Sequence, residues 1–248
     1  MSFVIAVHVN EGIVLASDSR AVYQKKITSD SNTTVLMGIN VTDTLNKTYK
    51  CANGVGISIV GDSSINGLPI SGFVENFLRE TVTDTTEVDD MPSEVLSHFK
   101  AIDPNLNAIF IIAGYKKTML KGENQKDIKK YSQKLFKVNI KNNSIETIDT
   151  SLQGATWDGE IFVLSKIFKD TAVKQKDGYI DLPNYTVPWN LFTLQDAVHF
   201  ARYAVDVTIQ TMRFMNIVKT VGGPVDILII RPSDTYWLEQ KKLTASEG

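Results

Sequence analysis

The chain has 248 residues, of which 43% are hydrophobic and 22% charged, and its formal net charge is −2. This composition is typical of a water-soluble globular protein, and the charge gives no case for nucleic acid or an acidic membrane as a partner. The length suits one domain, which we assign to residues 1–240, followed by a polar tail over residues 241–248. Cys51 is the only cysteine and no segment resembles a signal peptide, so we expect a cytoplasmic protein without an intrachain disulfide.

The first twenty residues predict a β-hairpin. Phe3 to Val9 and Ile13 to Ala16 are short apolar runs separated by an Asn-Glu-Gly turn signal. Both runs are apolar at odd and even positions, which indicates strands that are covered on both faces. Two polar residues flank this hairpin. Asp18 follows the second apolar run, and Ser2 becomes the first residue if Met1 is removed.

A serine at the N-terminus has a specific chemical use. Its hydroxyl is a weak nucleophile, and a free α-amino group, with a pKa of about 8, can accept the hydroxyl proton near neutral pH. Ser2 alone is better explained as a common start of a chain, and Asp18 as the cap of a turn. Because the two residues lie on strands that we expect to pair, the catalytic interpretation gains support.

The rest of the chain predicts strands, two helices, strands, two helices and a last strand. This order indicates two antiparallel sheets packed together, with helices on their outer faces. Residues 21–46 predict an extended excursion, with another hairpin as the alternative. Further strands are expected at Lys47–Cys51, Val55–Val60, Ala108–Ala113, Leu135–Ile140, Ser144–Ile148 and Val225–Ile230. Helices are expected from Pro69, at Ser93–Ile102, at Asp158–Phe168 and after a capping-box pattern at Thr193–Asp196.

No cofactor or metal site is expected. His8, His98 and His199 are far apart in the sequence, and their spacing fits no common set of metal ligands. The chain has no phosphate-binding loop of the Walker type. The lysine-rich stretch from Lys116 to Lys141 contains no arginine and is interrupted by acidic residues, so it predicts a solvated hairpin more readily than a nucleic-acid site.

Four segments, together with Ser2, resemble the proteasome-type N-terminal nucleophile hydrolases, which include proteasome β-subunits and their simpler bacterial relatives. The most specific segment is GIVLASDSRA at residues 12–21. The others are NKTYK at 46–50, GISIVGDSS at 56–64 and GGPVDILII at 222–230. The resemblance implies an α+β fold, a four-layer αββα sandwich of two antiparallel sheets flanked by helices.

The same resemblance implies roles for individual residues. Ser2 would be the nucleophile, Lys47 would lower the pKa of its hydroxyl, and Asp18 would pair with that lysine. Gly61 would donate a main-chain N–H to the developing oxyanion. The walls of the substrate pocket would be formed by Ala21, Val22, Tyr49 and Ile59, which implies a preference for an apolar or aromatic residue before the cleaved bond.

The sequence also departs from the family pattern. The separation of Asp18 and Lys47 is longer than usual, so Lys25, Lys26 and Lys50 are rival candidates for the active-site lysine. The Asp and Ser that usually precede the double glycine are absent from residues 217–221. The later Gly-Ser-Gly of the family is replaced by Gly154-Ala155-Thr156, so we expect its supporting serine to be absent. Thr156 and Asp206 are two candidates for substitute partners of the α-amino group.

The sequence therefore predicts an N-terminal-serine hydrolase, specifically a peptidase that works in a ring-like or spiral homo-oligomer. The implied partners are peptide or unfolded-protein substrates and identical subunits, and the resemblance allows for an ATPase partner. Neither nucleic acid nor membrane is expected. Two alternatives remain open: a catalytically inactive structural subunit of the same fold, and an amidase of small molecules.

Overall fold

The computed structural model describes residues 2–29, 32–121, 127–183 and 186–245, and it describes side chains outside 24–39 and 120–127. Within these residues the chain forms sixteen strands and four α-helices. The strands are β1 (Phe3–Val9), β2 (Gly12–Ser17), β3 (Ala21–Ser29), β4 (Asn32–Thr42), β5 (Thr48–Lys50), β6 (Gly56–Gly61), β7 (Ser64–Ile65), β8 (Leu68–Pro69), β9 (Ala108–Lys121), β10 (Asp127–Asn139), β11 (Ser144–Thr147), β12 (Gly154–Gly159), β13 (Ala172–Gln175), β14 (Gly178–Asp181), β15 (Asp226–Ile230) and β16 (Thr235–Glu239). The helices are α1 (Ile70–Glu80), α2 (Met91–Ile102), α3 (Phe162–Phe168) and α4 (Leu194–Arg213).

Two five-stranded antiparallel sheets form the centre of the molecule. The first has the strand order β12-β1-β2-β15-β16, and the second has the order β11-β10-β9-β6-β5. The predicted hairpin of β1 and β2 is present, with Val4 opposite Ser17 and Val9 opposite Gly12. Three further strand pairs stand outside these sheets: β3–β4, β7–β8 and β13–β14.

Three apolar clusters fill the spaces between the layers. The first cluster lies between the two sheets and contains Val4 and Ala6 of β1. The second lies between the first sheet and helices α3 and α4, and it contains Phe3, Ile5 and Val7 of the same strand. The third cluster lies between the second sheet and helices α1 and α2. The molecule is thus the predicted four-layer αββα sandwich of the α+β class, and β1 is apolar at both parities because both of its faces are covered. Across the described residues, the helices lack the combined length and apolarity needed to cross a bilayer.

A chain of buried hydroxyl groups connects the two sheets. Thr48 Oγ1 lies 2.8 Å from Ser17 Oγ and 2.9 Å from Ser58 Oγ. These residues belong to β5, β2 and β6, so the contacts fix the second sheet against the first. Hydroxyls can satisfy one another in this way because each is both donor and acceptor.

The β9–β10 pair extends well beyond the second sheet. Residues 108–113 of β9 pair with β6 on one side and β10 on the other, whereas Gly114–Lys121 pairs only with β10. We call the two-stranded extension formed by 114–121 and 127–134 the β9–β10 ribbon. It corresponds to the solvated hairpin that the lysine-rich sequence predicts.

Several elements differ from the sequence-based expectations. The largest difference is β12, because its first part was not expected to be a strand and its last two residues fall within the predicted helix at Asp158–Phe168. Helix α3 starts only at Phe162. Strands β13, β14 and β16 were not expected either. The side chains of β12, β13, β14 and β16 are half-buried or exposed, with the exception of Thr235. The sequences of these strands therefore lack the apolar runs that indicated β1 and β15.

Gly56 permits the close approach of the two sheets, and this generates a prediction about stability. A Cβ at position 56 would lie 2.6 Å from Ile230 Cδ1 and 2.7 Å from Leu15 Cδ1. We expect Gly56→Ala to lower the free energy of unfolding by about 1–3 kcal/mol, because the added methyl group overfills the space between the sheets.

The matched control is Gly72→Ala in helix α1. A Cβ at position 72 meets no atom within 4 Å, so this change should raise the free energy of unfolding by up to about 1 kcal/mol. Urea unfolding of both variants provides the measurement. Equal effects of the two substitutions would contradict the close approach at Gly56.

Candidate active site

The Asp18 carboxylate is fully buried at the end of β2 and accepts hydrogen bonds from four groups. Oδ1 accepts from Phe3 N at 3.0 Å and from Lys47 Nζ at 2.7 Å. Oδ2 accepts from Arg20 N at 3.1 Å and from Gly222 N at 2.9 Å. Since a buried charge without partners is very costly, this set of donors is what allows an ionised aspartate here.

Lys47 is the cation of this arrangement. Its side chain is 1% exposed, and Nζ also donates to Arg20 O at 2.5 Å. Its own carbonyl oxygen accepts from Ile59 N at 2.8 Å, which fixes the lysine backbone to β6. Burial lowers the pKa of the Lys47 ammonium, and the adjoining Asp18 carboxylate partly offsets this effect. The structure thus brings together the two residues that the sequence paired across 29 positions.

The rival lysines occupy different places. Lys50 is exposed on β5. Lys25 and Lys26 lie in β3, and their side chains fall outside the described part of the structure. Among the lysines whose side chains are described, the ion pair with Asp18 is made by Lys47.

Ser2 lies next to this ion pair and is itself 7% exposed. The peptide nitrogen that follows it, Phe3 N, donates to Asp18, and Ser2 O accepts from Glu160 N at 2.8 Å. Gly159 has φ +96°, and a Cβ there would lie 1.9 Å from Ser2 O. Only glycine therefore permits the chain after β12 to approach Ser2 this closely.

Gly61 lies at the end of β6, close to the same place. Ile59 N donates toward Lys47, and because N–H groups alternate in direction along a strand, Gly61 N–H points to the same side, beyond the end of β5. Gly61 has φ +117°, and a Cβ would lie 2.0 Å from Asn107 O. The preceding residue, Val60, packs near Gly159, so the end of β6 lies beside the residues that hold Ser2.

Arg20 and Asp43 form a bidentate ion pair next to the site, with N–O distances of 2.6 and 2.7 Å. The hydrogen bonds raise the pKa of Arg20 and lower that of Asp43. Gly222 and Gly223 lie directly against this pair: a Cβ on Gly222 would be 2.6 Å from Arg20 Cζ, and one on Gly223 would be 2.8 Å from Asp43 Cβ. The double glycine is therefore required by packing as well as by the hydrogen bond from Gly222 N to Asp18.

The predicted pocket residues are all buried in the single chain. Ala21, Tyr49 and Ile59 are 1%, 6% and 2% exposed and belong to the cluster beneath α1 and α2, and Val22 is 7% exposed. Tyr49 Oη donates to Asn46 O at 2.7 Å, and burial raises the pKa of its hydroxyl. Ala21, Tyr49 and Ile59 pack within this cluster of apolar side chains.

Sequence reasoning missed three residues at Ser2: Gly159, Glu160 and Thr220. Thr220 is 3% exposed, and its Oγ1 donates to Glu160 Oε1 at 2.9 Å. The register of β12 places Gly154–Thr156 opposite Ala6 to His8, several residues from Ser2, so the comparison of Gly154-Ala155-Thr156 with the family triplet does not fit the structure. Recognition of β12 as the partner of β1 would have found Glu160.

The two substitute partners that the sequence suggested also lie elsewhere. Thr156 pairs with Ala6 in the sheet, and Asp206 forms an ion pair with Arg202 at 3.5 Å on helix α4. His8 lies at the far end of β1, 3% exposed, and burial lowers its pKa. Over the described residues, no group of three or more His, Cys, Asp or Glu side chains is arranged to hold a metal.

Comparison with known proteins connects this geometry to a fold. No model of a known protein family matches the chain, and no curated protein matches it. Solved structures do match. One is the Anbu (Gly-1) mutant from Hyphomicrobium sp. strain MC1, with a TM-score of 0.57 and 14% sequence identity over 99% of this chain and 88% of that chain. Anbu from the same strain matches with a TM-score of 0.55 and 14% identity over 97% and 88% of the two chains. This likeness shows that the chain shares the fold of these Anbu structures, in agreement with the αββα architecture that the sequence predicts.

Asp18 has more hydrogen-bond partners than Lys47, so we expect that replacing Asp18 destabilises the protein more than replacing Lys47 does. Asp18→Ala leaves a buried ammonium and three main-chain N–H groups without their acceptor, so we expect a loss of about 3–5 kcal/mol in the free energy of unfolding. Lys47→Met keeps the apolar stem and leaves Asp18 with three N–H donors, so we expect a loss of about 1.5–3 kcal/mol.

Denaturant unfolding of the two variants and of Arg79→Ala tests this order. Arg79 pairs with Glu80 on the surface, where the side chains are 70% and 64% exposed, and its removal should change stability by less than about 0.5 kcal/mol. Equal losses for Asp18→Ala and Lys47→Met would contradict the role given to the main-chain donors.

Proposed function

We propose that this protein is an N-terminal-serine hydrolase that cleaves peptide amide bonds. The observation that carries the proposal is the buried Lys47–Asp18 ion pair, which lies one hydrogen bond from the peptide unit joining Ser2 to Phe3. A positive charge held at this place favours the ionised form of a nearby hydroxyl. The proteasome-like fold supports the same proposal, because the resemblance implies that Ser2 is the reacting residue.

The reaction begins when the Ser2 hydroxyl attacks the substrate carbonyl carbon. The α-amino group of Ser2, free after removal of Met1, accepts the hydroxyl proton and passes it to the leaving amine. Gly61 N–H donates to the oxyanion as it develops. Water then hydrolyses the resulting ester, and the amine acts as base a second time. Lys47 keeps its charge throughout because Asp18 and Arg20 O hold its ammonium.

The substrate preference follows from the residues around the lysine. Tyr49 and Ile59 favour an apolar or aromatic residue before the cleaved bond, worth about 1–3 kcal/mol per well-buried group. Because both side chains are nearly fully buried in the single chain, substrate entry requires them to move.

A second candidate, the catalytically inactive structural subunit, is favoured by the same burial. Ser2 is 7% exposed and Ala21 is 1% exposed, which leaves little access for a substrate. The state of the N-terminus separates the two candidates, since a chain that retains Met1 has no free amine on Ser2.

We also propose that the active form is a homo-oligomer in the cytoplasm, in the ring or spiral arrangement of proteasome-type subunits. The β13–β14 hairpin leaves apolar side chains in solvent: Val173, Tyr179 and Ile180 are 46%, 72% and 52% exposed. Exposed apolar side chains on both faces of a short hairpin favour a contact with another protein surface. The ATPase partner that the resemblance allows would deliver unfolded substrate to such an assembly.

The chemistry is tested through the N-terminus. Mass spectrometry of the protein from its native host should show Ser2 as the first residue. A peptide epoxyketone or boronate should then modify Ser2, and Ser2→Ala should abolish both modification and peptide hydrolysis, because it removes the covalent nucleophile. Retention of Met1, or full activity of Ser2→Ala, would exclude the proposed reaction.

The lysine is tested by a pair of variants. Lys47→Met should lower kcat by about 10²–10³-fold, since its role is electrostatic. Lys50→Ala is the matched control, because Lys50 is exposed on β5 and should leave the rate within about twofold of the parent. Parent-like rates for Lys47→Met would assign the active-site charge to another residue.

Assembly is tested by light scattering at micromolar concentration, which should show a mass well above that of one chain. Replacing Tyr179 and Ile180 by Glu should shift the protein toward monomer, because two charges would then face an apolar partner surface. Leu152→Glu, at a position that is 78% exposed outside the hairpin, is the control. A monomeric parent protein would exclude the assembly.

A further inference from the structure

Glu160 and Thr220 form a polar pair directly beside Ser2. Glu160 N donates to Ser2 O at 2.8 Å, so the backbones of the two residues touch at the point where the β1–β12 pairing ends. Thr220 Oγ1 donates to Glu160 Oε1 at 2.9 Å. Thr220 precedes Gly222, whose N–H donates to Asp18 Oδ2. The Asp18 carboxylate thus accepts from the peptide nitrogen after Ser2, whereas the Glu160 backbone donates to the Ser2 carbonyl oxygen.

Glu160 is half-buried. In the described part of the structure its carboxylate accepts a hydrogen bond from the Thr220 hydroxyl, which carries no charge. Within the described parts of the chain, no lysine or arginine forms an ion pair with it. A half-buried carboxylate of this kind favours a cation. The cations of the neighbouring segments are already engaged: Lys47 with Asp18, Arg20 with Asp43, Lys137 with Asp158, and Lys219 with Met215 O.

We propose that Glu160, oriented by Thr220, binds the α-ammonium group of Ser2 once Met1 has been removed. This inference rests on the proposed function, because that group exists only in the processed chain. Glu160 and Thr220 thereby replace the Asp and Ser that are absent before the double glycine. Both are positioning residues: the carboxylate fixes the amine beside the hydroxyl of its own residue, and the threonine fixes the carboxylate.

The supports of this pair are built into the end of β12. Gly159 N donates to Asp158 Oδ1 at 2.8 Å, and Asp158 Oδ2 accepts from Lys137 Nζ at 3.2 Å. Lys137 also donates to Trp157 O at 3.0 Å. These contacts hold the turn that carries Glu160 against β10, so the backbone of Glu160 stays beside Ser2, and Thr220 fixes its carboxylate.

Charge determines the expected pH dependence. The ionisable groups around the amine are Asp18 and Lys47, which neutralise each other, Glu160 itself, and the more distant pairs Lys137–Asp158 and Arg20–Asp43. The unpaired negative charge of Glu160 stabilises the ammonium form, so it raises the pKa of the amine. Its removal should lower that pKa, and the acidic limb of the kcat/KM profile should move to lower pH.

The test uses the full chain produced with Ser2 as its first residue, which is achieved by cleaving an N-terminal fusion and verified by mass spectrometry. The pKa of the α-amine is measured from the pH dependence of its acetylation by acetic anhydride, quantified on the N-terminal peptide. This readout needs no hydrolytic activity. We expect Glu160→Gln to lower the amine pKa by about one pH unit, and Thr220→Val to lower it by less. Thr220→Ser should restore the parent value.

Glu146→Gln is the matched control, since it removes the same charge from the exposed strand β11 and should leave the amine pKa unchanged. An amine pKa in folded Glu160→Gln equal to that of the parent overturns the inference. If that variant does not fold, an unchanged pKa in Thr220→Val overturns it. A lowered pKa in a protein that hydrolyses no peptide supports the ammonium site and counts against the peptidase alone.

Discussion

The buried Asp18 carboxylate is the constraint on which the rest of the site depends. Its two oxygens accept from Phe3 N, Arg20 N, Gly222 N and Lys47 Nζ, which belong to four segments that are distant in sequence. A carboxylate with no exposed surface needs such donors to remain charged. The start of β1, the turn after β2, the residues before β5 and the segment before β15 must therefore keep fixed relative positions. The alignment of Ser2 with Lys47 follows from this one charge.

Most contacts that build the site come from the main chain, and glycines make them geometrically possible. Gly159 lets the β12 turn reach Ser2 O, and Gly222 lets its own N–H reach Asp18 beneath the Arg20 guanidinium. A Cβ at either place would overlap an atom at less than 3 Å. The backbone thus determines the geometry of the site. Its charged and polar groups come from the side chains of Asp18, Lys47, Glu160 and Thr220.

How far the sequence predicts this molecule depends on how each element is buried. Strands β1, β2 and β15 were predicted because they are covered on both faces and read as apolar runs. The capping box at Thr193 and Asp196 was confirmed because its two hydrogen bonds are local. Strand β12 was missed because its side chains are half-buried and glycines form both of its ends. Asp18 could be noticed as a charge at the end of a buried strand. Lys47 was identified only through the family resemblance, because the β3–β4 hairpin separates it from Asp18 in the sequence. Glu160 could not be identified without recognising β12.

The β9–β10 ribbon gives a single strand two levels of local stability. Up to Ala113, β9 is flanked by β6 and β10, and its amides can open only together with the core of the molecule. Beyond Gly114 it is paired with β10 alone, and an isolated two-stranded ribbon is marginal in water. The ion pairs of Lys116 and Lys134 with Asp89 fasten only its base. Amide hydrogen exchange along β9 is therefore expected to divide at Gly114 into a slow class and a fast class, which makes the ribbon a separate cooperative unit attached to a rigid sandwich.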